Sequence, residues 1–225
     1  MSGRSDSRRV LLAGATGLVG REILRALLAD PAVAEIHVLG RRPLAQSDPR
    51  VRVHVVAHFV DLARLPPLPP VDEVYLALGT TIRVAGSEAA FRAVDLDANL
   101  AVARQAAAAG ATRAGLVSAV GADARSKVFY NRVKGELEAA LTPLFATLVI
   151  AQPSLLLGDR ASLNQPLRWG ERLSTPLARL AAPLLPGRYR PVEASAVAQA
   201  LVRTVPAATG QRILASDELA AIARG

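Results

Sequence analysis

The sequence predicts a doubly wound α/β fold built on a parallel sheet, and three observations carry that prediction. Short apolar runs alternate with helical stretches five or six times along 225 residues. The runs are continuous rather than alternating, as in strands buried on both faces. The first of them leads directly into a glycine loop and a helix, Gly14-Ala15-Thr16-Gly17-Leu18-Val19-Gly20. The expected strand order is 3-2-1-4-5-6, with a ligand crevice between strands 1 and 4.

The elements follow in order. Residues 1–8 form a polar tail, and Arg9–Ala13 reads as the first strand. Gly20–Leu28 has helical spacing and is stopped by Asp30-Pro31. Glu35–Leu39, Val51–Val56 and Asp72–Leu78 read as strands, with Leu65–Pro70 (LPPLPP) as a stiff surface loop before the last. Ser87–Ala109 is an Ala-rich helix closed by Gly110. Strand Gly115–Val117, helix Ser126–Leu141 and strand Thr147–Ala151 complete the pattern. Residues 160–225 are richer in Pro and Arg, with helical stretches at Pro166–Leu180 and Ser195–Thr204. They are too few to fold alone, so the reading is a single domain over residues 9–225 with a substrate-side elaboration at 160–225.

Composition excludes several classes. Half the chain is apolar (51%) and a fifth is charged, enough for a full core, which rules out a disordered or collagen-like chain. With no Cys there is no disulfide and no thiolate metal site, which suits a cytoplasmic protein. The net charge of +8 invites nucleic acid, but the 25 Arg and 2 Lys are scattered and only 4% of residues are aromatic. Stacking platforms are scarce, so no nucleic-acid partner is expected. Arg8-Arg9 before VLLAGATGLVG imitates a twin-arginine signal, but glycines break the run and no cleavage site follows. No run approaches the roughly 18 apolar residues of a membrane span, so a soluble protein is expected. His54 and His58 lie four apart on an expected strand, about 13 Å from each other, so with His37 they read as surface or sheet-face residues and no metal is expected.

The glycine loop carries the first chemistry. Gly14 turns the chain out of the strand, Gly17 admits a pyrophosphate to the backbone, and Gly20 lets the helix pack on the sheet. The helix N-terminus offers N–H groups to the phosphates, so Gly14, Thr16, Gly17, Leu18, Val19 and Gly20 are the candidate contacts. The second strand ends Val38-Leu39-Gly40 with no carboxylate for a ribose 2′-hydroxyl, and Arg41-Arg42 follow, placed to grip a 2′-phosphate. The expected cofactor is therefore NADP(H).

Tyr130 and Lys134 are four apart on an expected helix and so share a face. A neighbouring ammonium lowers a phenol's pKa, and Lys is retained here in a chain that uses Arg at nearly every other basic position. Ser118 closes the fifth strand at the sheet's carboxyl edge, twelve residues before Tyr130. Cofactor, proton donor and carbonyl-orienting hydroxyl together suit hydride transfer.

These motifs, Gly14-x-x-Gly17-x-x-Gly20, Ser118-x-x-Gly121 and Tyr130-x-x-x-Lys134, resemble the atypical short-chain dehydrogenases/reductases. The nearer likeness within these NAD(P)-dependent epimerase/dehydratase-like Rossmann proteins is to the Tat-interacting-protein branch and its bacterial relatives. It is carried by Leu39-Gly40-Arg41-Arg42, Leu78-Gly79-Thr80-Thr81, Gly121-Ala122-Asp123 and Val133-Lys134-Gly135-Glu136, and it covers roughly residues 9–215. The resemblance implies that Tyr130 exchanges the proton, Lys134 also holds the nicotinamide ribose, and Ser118 holds the substrate oxygen. It further implies that Asp61 and Leu62 contact the adenine, that Leu78, Gly79 and Thr80 line the adenosine and ribose, and that Pro153, Ser154, Leu155 and Leu156 meet the carboxamide. The family often has a second Ser where this chain has Ala119. Three functions fit the residues: an NADP(H)-dependent reductase of a small carbonyl substrate, a nucleotide-sugar epimerase or dehydratase, and a non-enzymatic NADP(H)-sensing regulator.

Overall fold

In the computed structural model, residues 7–59, 67–158 and 185–225 are described. Seven strands form one parallel sheet: β1 (Arg8–Ala13), β2 (Val33–Gly40), β3 (Val51–Val55), β4 (Glu73–Leu76), β5 (Arg113–Val117), β6 (Thr147–Gln152) and β9 (Gly210–Ala215). Their order is β3-β2-β1-β4-β5-β6-β9, so the expected order holds and a seventh strand extends it. That strand, Gly-Gln-Arg-Ile-Leu-Ala, pairs only with β6 and leaves most of its side chains exposed, so it lacks the apolar run that marks the others. A small second sheet pairs β7 (Leu156–Leu157) with β8 (Val192–Glu193).

The central strands are buried on both faces, which is why their sequences read as unbroken apolar runs. Val10 and Leu12 of β1 face a core shared with α1 (Leu18–Ala29), α6 (Ala194–Thr204) and α7 (Ser216–Arg224). Leu11 and Ala13 face the opposite core, shared with α4 (Asn99–Ala108) and α5 (Phe129–Leu141). Successive side chains point to opposite faces of a strand, so one five-residue run feeds two cores.

The expected single helix over 87–109 is corrected. It divides into α3 (Glu88–Arg92), a π-helical turn (Ala93–Ala98) and α4, with the one-turn α2 (Ile82–Ala85) before it. The wide turn brings both Asp95 and Asn99 to the buried side, where each is fully covered. Asn99 Nδ2 donates to the Val94 and Asp95 carbonyls and to Leu78, satisfying oxygens that the wider turn leaves over. The expected helix from Ser126 begins instead at Phe129, because Ser126 is taken up in a turn, its N–H on Asp123 and its hydroxyl accepting from Val128. Pro166–Leu180 lies outside the described residues.

Candidate functional site

The glycine loop sits where β1 meets α1, at the point where the sheet order turns. Gly14 has φ +92°, and a Cβ there would overlap the Ala77 carbonyl at the end of β4. Glycine is thus required twice over, by conformation and by the approach of two strand ends. Gly17 donates its N–H to the Gly14 carbonyl at 2.9 Å and begins α1 with no side-chain cap. The first turn carries no acid, so its N–H groups suit an anion. Gly20 has a different role from the one expected. A Cβ there would overlap Gly14's own carbonyl, so it lets the helix approach the loop rather than the sheet. Leu18 and Val19 point into the core, and the Leu18 methyls lie against Gly158 beyond β7.

A cavity of about 420 Å³ opens over this loop. Its walls are Gly14–Gly17, Gly40–Arg42, Ala77–Gly79 and the π-turn residues Ala93, Val94 and Ala98. Leu44, His58 and Phe59 close the end beyond β2, residues that no motif marked. His58 is past the end of β3 and not on it, which corrects the expected strand placement. His37 and His54 instead meet on the sheet, Nδ1 to Nε2 at 3.0 Å, and burial pushes both imidazoles below their usual pKa. Arg41 and Arg42 are exposed at the rim, and no described wall residue is acidic. The loop, the bare helix end and this volume fit a dinucleotide. Asp61 and Leu62 lie outside the described residues.

At the far side of Gly79 the wall changes character. Lys134 is 4% exposed, and its Nζ pairs with Asp95 Oδ1 at 2.7 Å. Asp95 Oδ2 accepts the Thr80 N–H at 2.8 Å, so one carboxylate ties the loop after β4 to the lysine. A Cβ on Gly79 would lie 3.5 Å from Asp95 Oδ1 and 4.0 Å from Lys134 Nζ. The structure therefore brings Leu78, Gly79, Thr80 and Lys134 together, with Asp95 as the residue that sequence reasoning missed. Its one sequence signal is an acid set between Val94 and Leu96 in an apolar helical stretch.

Tyr130 lies one turn before Lys134, its ring 5.4 Å from Phe91 of α3. One turn after Lys134 comes Glu138, 8% exposed, so Tyr130, Lys134 and Glu138 stand at four-residue intervals on one face, about 6 Å of rise apart. Ser118 meets the last of the three: its hydroxyl donates to Glu138 Oε1, and Gln152 Nε2 donates to both Glu138 oxygens at 3.0 and 3.1 Å. Burial pushes the Glu138 carboxyl up, against the opposing pull of those hydrogen bonds and of Lys134.

The loop between β5 and α5 is clamped onto the helix. Gly121 has φ +77°, Asp123 N–H donates to the Asn131 carbonyl at 3.0 Å, and a Cβ on Gly135 would overlap the backbone at Asp123 and Ala124. Pro153, Ser154, Leu155 and Leu156 bridge the two sheets. The Pro153 carbonyl accepts from Val120, the Leu155 carbonyl from Val192, and Ser154 donates its hydroxyl to Arg190.

No family model matches the chain. Individual relatives do. The chain is 38% identical over 159 residues to the Emericella nidulans protein fmp52, mitochondrial, covering 67% of this chain and 68% of that one. It is 33% identical to the Lodderomyces elongisporus protein FMP52, mitochondrial, over 84% of this chain and 83% of the relative. It is also 33% identical to the Rattus norvegicus protein HTATIP2, over 74% and 69%. The fungal names carry a mitochondrial location, which overturns the cytoplasmic expectation drawn from the absence of Cys. Among solved structures, the Bordetella bronchiseptica enzyme WbmF in complex with NAD+ aligns with TM-score 0.65 and 17% identity, over 97% of this chain and 78% of that one. A Methanobrevibacter ruminantium UDP-N-acetylglucosamine 4-epimerase aligns with TM-score 0.67 and 14% identity, over 93% and 76%. At that identity the likeness establishes the Rossmann-like fold alone. Sequence kinship and site geometry agree: the chain belongs to the FMP52–HTATIP2 family of NAD(P)-binding proteins related to the short-chain dehydrogenases.

Proposed function

We propose that the protein is an NADP(H)-dependent oxidoreductase that reduces a small carbonyl substrate, with Tyr130, Lys134 and Ser118 as the working side chains. The observation that carries the reading is the meeting of Lys134 with the Gly79 loop of the crevice wall, Tyr130 being one turn before Lys134 on the same face of α5. The rim Arg41 and Arg42, with no acid in the described wall, support a 2′-phosphate and hence NADP(H) over NAD(H).

When bound, a reduced nicotinamide would supply the hydride. The protein's part is to meet the negative charge that grows on the carbonyl oxygen. Tyr130 gives its phenolic proton to that oxygen, and the Lys134 ammonium stabilises the phenolate left behind. Asp95 holds the ammonium at the required height but also offsets part of its charge, so Lys134 acts on Tyr130 as one half of an ion pair. For Ser118 to hold the same oxygen, its hydroxyl must turn from Glu138.

A second reading has its own support. Lys134 and Ser118 are both engaged by carboxylates, as expected of a protein that binds the dinucleotide and signals its presence without turnover. NADPH oxidation against a panel of aldehydes, ketones and quinones separates the two. Turnover of a panel member is the expected result. Bound dinucleotide with no turnover on any member overturns the enzyme reading in favour of the sensor.

A further inference from the structure

Glu138 stands two turns below Tyr130 on α5, facing the end of β5 and β6. Its carboxyl is 8% exposed, with three hydrogen bonds supplied by two other elements. Its charged surroundings are few. Lys134 faces it from its own helix, and Asp95 stands behind Lys134 on the π-turn. The groups from β6 and from the end of β5, Gln152 and Ser118, are neutral.

We infer that Glu138 is a positioning residue that sets the direction of the hydrogen bond at Ser118, and so decides whether Ser118 can donate to a substrate oxygen. The inference rests on the carbonyl-reductase reading for the identity of that oxygen. A hydroxyl has one proton. While Glu138 is ionised it accepts that proton, and Ser118 offers a substrate carbonyl only lone pairs. Once Glu138 carries a proton on Oε1, the direction reverses. Glu138 donates to Ser118 Oγ, and the Ser118 O–H is released toward a substrate oxygen.

Gln152 makes both states tenable. It reaches both carboxyl oxygens, so Oε2 keeps an N–H donor whichever way the bond at Oε1 runs. In the protonated state one group is left without a partner, the Ser118 proton, and a carbonyl oxygen is what satisfies it. An unpaired buried donor is costly, so that state favours a bound carbonyl. Burial of Glu138 opposes its ionisation, in the direction this switch needs.

Two arms test the inference. In the first, reduction rate is followed against pH. The native rate should fall about tenfold per unit above the Glu138 titration. Glu138→Gln has a permanent N–H for Ser118 Oγ and an amide oxygen for Gln152, so it should hold the low-pH rate throughout. A Glu138→Gln profile that descends as the native one does overturns the inference. The second arm needs no turnover: the infrared C=O band of the protonated Glu138 carboxyl, identified by its loss in Glu138→Gln, is titrated in the native protein and in Ser118→Ala. Loss of the Ser118 donor removes a bond to the ionised form, so the midpoint should move up. A midpoint unmoved by Ser118→Ala overturns the inference even when no carbonyl is reduced. Failure of the carbonyl panel with a shifted midpoint overturns the enzyme reading and leaves the Glu138–Ser118 coupling standing.

Discussion

The two ends of the crevice are built on different principles. At the glycine-loop end the backbone forms the wall: glycine carbonyls and N–H groups packed so closely that side chains are excluded, under an open cavity of about 420 Å³. At the Lys134 end side chains form it, and the key ones are buried and already paired, Lys134 with Asp95 and Ser118 with Glu138. The first end is rigid by sterics, the second by charge. Damage to the first should therefore appear as loss of fold and binding, and damage to the second as lost stability or lost rate with the cradle intact.

The largest effect is expected from Gly20→Ala. Its Cβ would strike the Gly14 carbonyl, backbone against backbone, where neither side can yield. Overpacking of this kind costs about 3 kcal/mol or more. Thermal unfolding should show a sharply lower midpoint, and calorimetry no dinucleotide binding. A normal variant would show that the loop is looser than its geometry. Asp95→Asn comes next. It leaves the buried Lys134 ammonium without its counter-charge, and breaking a buried pair costs about 3 kcal/mol. Denaturant unfolding measures it, and an unchanged midpoint would mean that charge does not hold this end.

Exchanging Arg41 and Arg42 together for Ala should be milder. These exposed side chains touch no core, so stability should hold while the preference for NADPH over NADH, expected to be at least about tenfold or 1.4 kcal/mol, disappears. Equal affinities in the native protein would remove the 2′-phosphate from the account. The smallest effect belongs to neither end. Burial holds His37 and His54 below their usual pKa, so the unfolded chain binds protons more readily than the folded one. Stability should thus be complete above the unfolded imidazole range, near pH 6.5, and decline as pH falls through it. His54→Gln should flatten that decline in unfolding measured from pH 7.5 to 5.

How far each end could be read from sequence follows the same division. The cradle was legible because its constraint is local. Gly14, Gly17 and Gly20 lie within one strand–loop–helix junction, and the groups that require glycine there are near neighbours or the adjoining strand end. The strand order was equally accessible, since double-faced burial writes itself into apolar runs. Tyr130 and Lys134 showed through the four-residue repeat of a helix. The same repeat extends to Glu138, and one more step along it would have found that residue. Asp95 was hidden for another reason. It faces Lys134 only because a π-turn interrupts what reads as one Ala-rich helix, and that turn is closed by Asn99 and by pairing with a lysine thirty-nine positions away. Strand β9 was hidden because an edge strand with exposed side chains has no apolar run to show.

The central claim is that α5 brings a proton donor to a dinucleotide held by the glycine cradle. Tyr130→Phe tests it most directly, with NADPH affinity by calorimetry and carbonyl-dependent NADPH oxidation measured on the same preparations. Removing only the hydroxyl should leave affinity within about twofold of native while turnover falls by roughly 10² or more. A variant that reduces the substrate at the native rate would contradict the account.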